Sequence, residues 1–532
     1  MEELRSLARN DVFILGAGFS KAVATNFPLA ADLLEPIRSR LHDRLGMEVQ
    51  PRGGEGFEQW LSRLAEDQPY LPPDTNLERA AAFQRVSKEV GKILTDHESA
   101  ALGNSEPEWL AKLIATWHIR QATVISFNYD NLVEAAVQTQ QSWLHVTTHD
   151  ILRQLPPLPP RLMREEDPPS ILKNLGRASY VTNPPVQVAP AQTFRLLKLH
   201  GSISWYWDDG DNGGATLQRW PYIGQFLEPR GDQTEDIARQ FPGRVPFIAP
   251  PSATKSKYLG NRVLRDFWRE ALYALQKAEN VYFLGYSVPP QDQAAMSLII
   301  EGVGDRKPQI HILDIDADTV RGNLANLLVD YKSLPGESKE GILRKKVEEL
   351  KCCYGLKLHP GGDNPIKEGA DAYFKELLEE GARNLTRVAK SLAPITPENL
   401  EESWDGPDDG AKFPITGSVM CPNLPIRTVA PLLDCDDACI DGDALKVRVG
   451  NNKETDALQL TKLMRYLQGD TEIRRIIGLY DDGSEIPVIP LALQPTASDH
   501  LTGGNWWTLH LTPFITQTPS DPPNYSEQLK RP

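Results

Sequence analysis

The residues best placed to do chemistry stand just after apolar runs. Asn128 and Asp130 follow the run Ala122-Thr-Val-Ile-Ser-Phe127, and His200 follows residues 194–199. A histidine can take or give a proton near neutral pH, an asparagine can orient water or a hydroxyl, and an aspartate can accept hydroxyl hydrogens. The first apolar run, Val12 to Leu15, ends in Gly16-Ala17-Gly18-Phe19-Ser20. Glycines there let the backbone turn tightly and approach a ligand, and a helix starting near Ser20 would point N–H groups at an anion. That reads as a phosphate or dinucleotide cradle. Gly285-Tyr286-Ser287 and Asp314 follow two further apolar runs. Each feature has a plainer reading: a structural turn, a helix cap, a surface or core histidine.

Their shared position raises the functional reading. Unalternating apolar runs at 12–15, 122–127, 281–284 and 309–313 suit strands buried on both faces. Helical patterns are expected over 29–45, 57–64, 107–118, 261–278 and 290–300, with a longer, interrupted one over 77–102. Asp130 or Asn131 is expected to cap the helix after the second strand. Strand, polar turn and helix in repetition predict an α/β protein: a Rossmann-like open parallel sheet with helices on both faces, binding ligand at the strands' carboxyl ends. Residues 194–199 form another such strand, and 203–207 either continue it or open a hairpin.

Residues 149–190 are rich in proline and read as a long insertion or flap. Helices are expected over 339–350 and 370–392, with Cys352-Cys353 between them as packing residues. A polar linker over 394–409 then leads to a smaller C-terminal α+β domain at 410–532, expected to hold strands at 445–449, 486–491 and 506–511 and a helix at 455–467. Residues 1–393 would form the nucleotide-binding domain with its helical and proline-rich insertions.

The whole chain fits this. Its 532 residues suffice for two to four domains, and 40% hydrophobic with 24% charged residues is an ordinary globular balance. A net charge of -15 gives no reason to expect nucleic acid as an obligatory partner. The start Met1-Glu2-Glu3-Leu4 lacks the basic region of a secretory signal, and no run nears the roughly 20 apolar residues of a membrane helix. Five cysteines, Cys352, Cys353, Cys421, Cys435 and Cys439, are too few and too unevenly placed for a disulfide scaffold. A cytoplasmic protein with reduced thiols is expected.

Gly16-Ala-Gly-Phe-Ser20, Ser126-Phe-Asn-Tyr-Asp130, Lys198-Leu-His-Gly201 and Leu284-Gly-Tyr-Ser287 together resemble the sirtuin-like NAD-binding domain, over roughly residues 10–328. They are especially similar to the bacterial anti-phage branch that hydrolyses NAD to ADP-ribose and nicotinamide. The resemblance implies that Gly16, Ala17, Gly18, Phe19 and Ser20 hold the pyrophosphate, and that Asn128 and Asp130 sit by the nicotinamide and its ribose. It further implies that His200 acts on the ribose hydroxyls and that Gly285 and Ser287 form a second nucleotide-contacting turn. Asp314 stands where relatives often carry asparagine, and would accept ribose hydroxyls. Deacetylating sirtuins carry a four-cysteine zinc module between the histidine motif and the second glycine turn. No cysteine lies between His200 and Gly285 here, which ranks deacetylation low and predicts NAD as substrate without a metal.

The expected function is therefore an NAD glycohydrolase serving as the effector of bacterial antiviral defence, as a homo-oligomer or with a defence-system partner protein. Nucleic acid would enter only through a partner, and a membrane not at all. The alternatives are an NAD- or ADP-ribose-sensing scaffold without turnover, and the effector subunit of an Argonaute-associated complex.

Overall fold

The structure is a computed structural model. It describes residues 7–45, 57–141, 146–152 and 193–391 (apart from 209–210, 212, 250–255, 305, 333–336 and 360–362), with 438–441, 443–448, 467, 473–479, 485–495 and 507–513.

Six parallel strands form the central sheet. Across it they run Lys357–Leu358, Gln309–Leu313, Asn280–Leu284, Asp11–Leu15, Thr123–Ser126 and Arg195–Lys198. In chain order that is sixth, fifth, fourth, first, second, third, the doubly wound order, whose reversal point lies between the first and fourth strands. The first strand is buried along its whole length and pairs on both sides, Val12 with Thr123 and with Val281. That is the two-faced burial its apolar run requires.

Helices cover both faces. Phe13 stacks on Tyr282 at 4.5 Å and meets Trp117 and Tyr373 at 5.4 and 5.3 Å, which ties the sheet to helices Glu108–Arg120 and Pro365–Ser391. Helix Arg262–Lys277 packs on the second and third strands, burying Leu264, Phe267, Ala271 and Leu275 at helical spacing. No helix among the described residues is long and apolar enough to cross a membrane.

Several expectations need correction. The helix at 73–102 is one unbroken element, Pro73–Leu102, opened by Pro72 and Pro73, where a missing N–H costs nothing. The first turn of the expected 29–45 helix is a 3-10 turn, Ala30–Leu33, ahead of helix Leu34–Leu45. Cys352 and Cys353 lie in the last turn of helix Lys339–Tyr354, not between helices. Cys352 is exposed, so only Cys353 packs on the core.

The chain does not continue the third strand beyond His200. Gly201 adopts φ +81°, and a Cβ there would lie 2.1 Å from the Phe247 carbonyl oxygen. This turn sends Gly201–Trp207 into a second sheet, between Gln218–Arg219 and Val245–Ile248. The proline-rich flap lies almost wholly outside the described residues.

Near the C-terminus five strands form a mixed sheet, ordered Ala438–Asp441, Ala444–Arg448, Arg475–Leu479, Glu485–Pro495 and Trp507–Pro513. Three were expected; Ala438–Asp441 and Arg475–Leu479 were not. The second of these is short and carries Gly478 in its interior, which blurs a strand pattern. This sheet meets helix Pro365–Ser391, where Ile489 clusters with Phe374, Leu377 and Ala115. Apart from Leu467, the expected 455–467 helix lies outside the described residues.

Candidate active site at the strand ends

A cavity of about 660 Å³ opens at the carboxyl ends of the strands, over the reversal point of the sheet. Gly16, Ala17, Gly18, Ser20, Asn128, Asp130, His200, Gly285, Ser287 and Asp314 all line it. Phe19 does not: it is buried against Trp109 and Trp117 and anchors its helix to the core. Phe27, Leu29, Leu33, Phe57 and Leu94 give the cavity an apolar wall. A second hollow of about 330 Å³, at the opposite end of the sheet, is half the size, and its Arg9, Arg195 and Glu270 are held in ion pairs.

The first turn is built differently from a simple anion cradle. Helix Ala17–Val23 starts one residue after the strand, earlier than expected. The Gly18 N–H donates to the Gly285 carbonyl at 3.0 Å and the Phe19 N–H to the Gly16 carbonyl at 2.9 Å. Both N–H groups are thus engaged within the chain, and Ala17 is the exposed position of the helix start. The Ser20 hydroxyl, fully buried, donates to Asp130 Oδ2 at 2.6 Å instead of facing a phosphate.

The glycines are needed for chain against chain. A Cβ on Gly16 would sit 2.5 Å from the Gly285 carbonyl oxygen and 2.6 Å from Tyr286 Cα, and Gly285 itself has φ +60°. Gly16→Val is therefore expected to force the two turns apart and lower stability by about 1–3 kcal/mol or more. Thermal unfolding checks this, and a variant melting with the wild type would contradict the packing.

Asn128 and Asp130 are joined through Ser20. Asn128 Nδ2 donates to the Gly16 carbonyl at 2.8 Å and to Ser20 Oγ at 2.9 Å. This fixes the amide, because a carbonyl only accepts, and leaves Oδ1 as the acceptor of the side chain. Asp130 Oδ1 accepts from the Leu132 N–H at 3.2 Å, so Asp130 caps helix Leu132–Thr139. Asn131, the other expected cap, makes no side-chain cap bond; it turns inward to Glu98.

Behind this row lies a buried polar network that the sequence did not announce. Lys198 Nζ donates to the Asp130 carbonyl, to Glu134 Oε1 at 2.9 Å and to Ser202 Oγ at 3.0 Å. Ser202 and Ser204 donate to Asn131 Oδ1 at 2.9 and 2.7 Å, and Asn131 reaches Glu98. Burial pushes the Glu98 carboxyl up to about 7, against the opposing pull of Arg230. Protonation of Glu98 is thereby favoured in the folded state, so its contribution to stability declines as pH rises from about 4.5 toward 7. Residues such as Glu98 and Lys198 give no periodic signal, since a charged residue in a helix or strand is usually solvated.

His200 sits in an aromatic nest, with ring centres of Phe127, Tyr129 and Trp268 at 4.9, 6.2 and 6.5 Å. Its Nε2 lies 3.1 Å from Asp292 Oδ2, and both residues are buried. A buried carboxylate thus stands directly beside the ring, that of Asp292. Asp292 had a sequence signal: an aspartate after Pro289-Pro290, in front of a helix, marks an N-cap.

Ser287 is exposed on the cavity, and its carbonyl accepts from Asn323 Nδ2 at 2.9 Å. Asp314 also borders the cavity; burial raises its carboxyl above the usual range, although the Asp316 N–H donates to it at 2.9 Å. Among the described residues no group of three His, Cys, Asp or Glu side chains is arranged to hold a metal.

No family model matches the sequence, and no curated protein does either. Among solved structures, a Sir2 homologue in complex with NAD is 16% identical, spanning 66% of this chain and 93% of that one, with a TM-score of 0.28. Sir2Tm bound to a propionylated peptide is 12% identical, spanning 70% and 96%, with a TM-score of 0.27. A Sir2 complex with a p53 peptide and NAD+ is also 12% identical, spanning 69% and 92%, with a TM-score of 0.26. These are distant likenesses.

Proposed function

We propose that this chain hydrolyses NAD to ADP-ribose and nicotinamide, and that this is the effector step of a bacterial antiviral defence. The observation carrying the reading is the convergence of Asn128, Asp130, His200, Ser287 and Asp314 on one cavity, at the reversal point of a doubly wound sheet. The four motifs that resemble the sirtuin-like NAD-binding domain supply the glycine turns and strand ends of that cavity.

The chemistry suits these residues. Nicotinamide leaves a cationic ring as a neutral molecule, taking the electron pair of the C1′–N bond, so the leaving group needs no protonation. Positive charge grows at the ribose C1′, water adds there, and the water's proton must go to a base. Asn128 Oδ1 would accept from the water or from a ribose hydroxyl and align it. Neutral His200 would receive the proton, directly or through a ribose hydroxyl. Asp130, held by Ser20 and the Leu132 N–H, would place a carboxyl group beside the developing cation. Asp314 would accept the hydroxyls of the adenosine ribose, and Ser287 would meet the nucleotide at the second turn.

The full chain, alone and with candidate activators or partner proteins, would be incubated with NAD while nicotinamide is followed by chromatography. Release of nicotinamide is expected; none under any condition would defeat the enzyme reading, and NAD bound unchanged in calorimetry would favour a sensing scaffold. Asn128→Ala should retain the fold and lose about 10²-fold or more in rate, the scale of a misplaced reacting group. Circular dichroism beside the rate assay decides this, and a folded N128A protein working near the normal rate would remove Asn128 from the mechanism.

A further inference from the structure

We propose that Asp292 is the positioning residue of His200: its carboxylate holds the imidazole in one orientation and one tautomer for proton transfer. This rests on the reading of the cavity as the site of NAD cleavage.

The two oxygens of Asp292 have different partners. Oδ1 accepts from the Ala295 N–H at 3.4 Å and caps helix Gln293–Val303. Oδ2 lies 3.1 Å from His200 Nε2. The cap bond is long, so capping alone does not account for the second, shorter contact made by a carboxylate only 7% exposed. With the carboxylate on Nε2, the neutral ring carries its proton there, and Nδ1 is the basic nitrogen.

The contact also crosses the crevice. His200 follows the third strand and Asp292 follows the fourth, with the first and second strands between them. Three strand spacings of about 4.8 Å must be bridged from above the sheet. The loop that does so leaves the fourth strand at Gly285, and its buried Val288 is held at φ +52°, a costly conformation for a β-branched residue. His200 is fixed from its own side as well, because its carbonyl accepts from the Ala249 N–H at 2.8 Å. The imidazole is thus gripped from both halves of the fold.

Other titratable groups lining the cavity are Tyr129, Asp130, Tyr286 and Asp314. The Tyr129 hydroxyl donates to the Ala249 carbonyl at 2.6 Å, and Asp130 is engaged by Ser20 and Leu132. Phe127 and Trp268 present apolar surface to the ring. Asp292 Oδ2 contacts the ring at Nε2.

The test uses variants that keep the cap. Asparagine and serine cap helices about as well as aspartate, so a purely structural Asp292 predicts near-wild-type behaviour for Asp292→Asn and Asp292→Ser. The positioning role predicts melting temperature and NAD affinity close to the wild type. It also predicts turnover lower by between about 10-fold and the roughly 10⁴-fold that follows when a triad's orienting carboxylate becomes an amide. Asp292→Glu, which keeps the charge, should recover part of the rate. Independently of activity, the carbon-labelled imidazole of His200, assigned by its loss in His200→Asn, should titrate at a midpoint lower by about one unit or more in D292N, because an adjacent negative charge favours the protonated ring. An unmoved midpoint, or full turnover in both cap-keeping variants, would overturn the proposal. A moved midpoint in a protein that cleaves no NAD would uphold the pairing and defeat only the substrate reading.

Discussion

His200→Ala is expected to bind NAD and to release nicotinamide about 10² to 10⁴ times more slowly than the wild type, the usual contribution of a general base. The ring lies among Phe127, Tyr129 and Trp268, none of which can replace its proton chemistry in the neutral range. Deleting it leaves a small cavity, and leaves Asp292 with the cap bond to Ala295 but without Nε2. Some loss of stability is therefore built in. His200→Asn, which keeps a polar group of smaller size, separates the effects: it should melt nearer the wild type and still fail to turn over. Wild-type turnover should fall on acidification as the neutral ring is lost, and the residual rate of H200A should lack that acid limb. NAD affinity and rate measured on the same preparation decide the matter. If turnover survives within about ten-fold, below the usual general-base contribution, His200 is structural and the proposed proton route fails.

The largest stability effect is expected at Lys198. Its ammonium group is almost fully buried and pairs with Glu134, also buried, while donating to the Asp130 carbonyl and to Ser202. Lys198→Met keeps much of the aliphatic bulk and removes the charge together with its hydrogen-bond donors. It takes the ammonium partner from the buried Glu134 carboxylate, leaving Arg219 as a cation near it, and breaking one side of a buried pair costs about 3–5 kcal/mol. At roughly 2 cal/mol/K of unfolding entropy per residue, a domain of nearly 400 residues shifts by about 1 °C per kcal/mol, and the melting temperature should drop on the order of 5 °C. Turnover should fall too, because the Asp130 carbonyl loses its donor beside the reacting site. Replacing both partners, Lys198→Met with Glu134→Leu, should restore most of the stability, since an apolar pair of similar volume is often neutral or better. It should not restore the rate, because the Asp130 carbonyl still lacks its donor. A single variant melting within roughly 2 °C of the wild type would show that Glu134 is protonated or solvated, contrary to its burial and the 2.9 Å contact.

Much of this fold was legible in the sequence because its strands are short, apolar and closed by glycine or a polar residue. Residues 11–15, 123–126, 280–284 and 309–313 carry that signature, and the structure pairs all four in parallel. The edge strand Lys357–Leu358 was not legible: two residues exposed on both faces have no pattern to read. Nor was the length of helix Pro73–Leu102, whose interior Gly91 weakens the helical signal while its neighbours still bury Val86, Val90 and Leu94.

By itself, the sequence determined which residues could reach the cavity. A parallel strand delivers the residue after it to the carboxyl edge, and Asn128, His200, Gly285 and Asp314 needed nothing more than that rule. Only the tertiary structure decided what each group does there. It turned the Ser20 hydroxyl to Asp130, set Gly16 against Gly285, buried Lys198 with Glu134, and brought Asp292 to His200 from across two strands. The reason is physical. Hydrophobic periodicity reports how one element faces the core, whereas a hydrogen bond between distant side chains depends on strand order, loop path and packing, and so on every element between them.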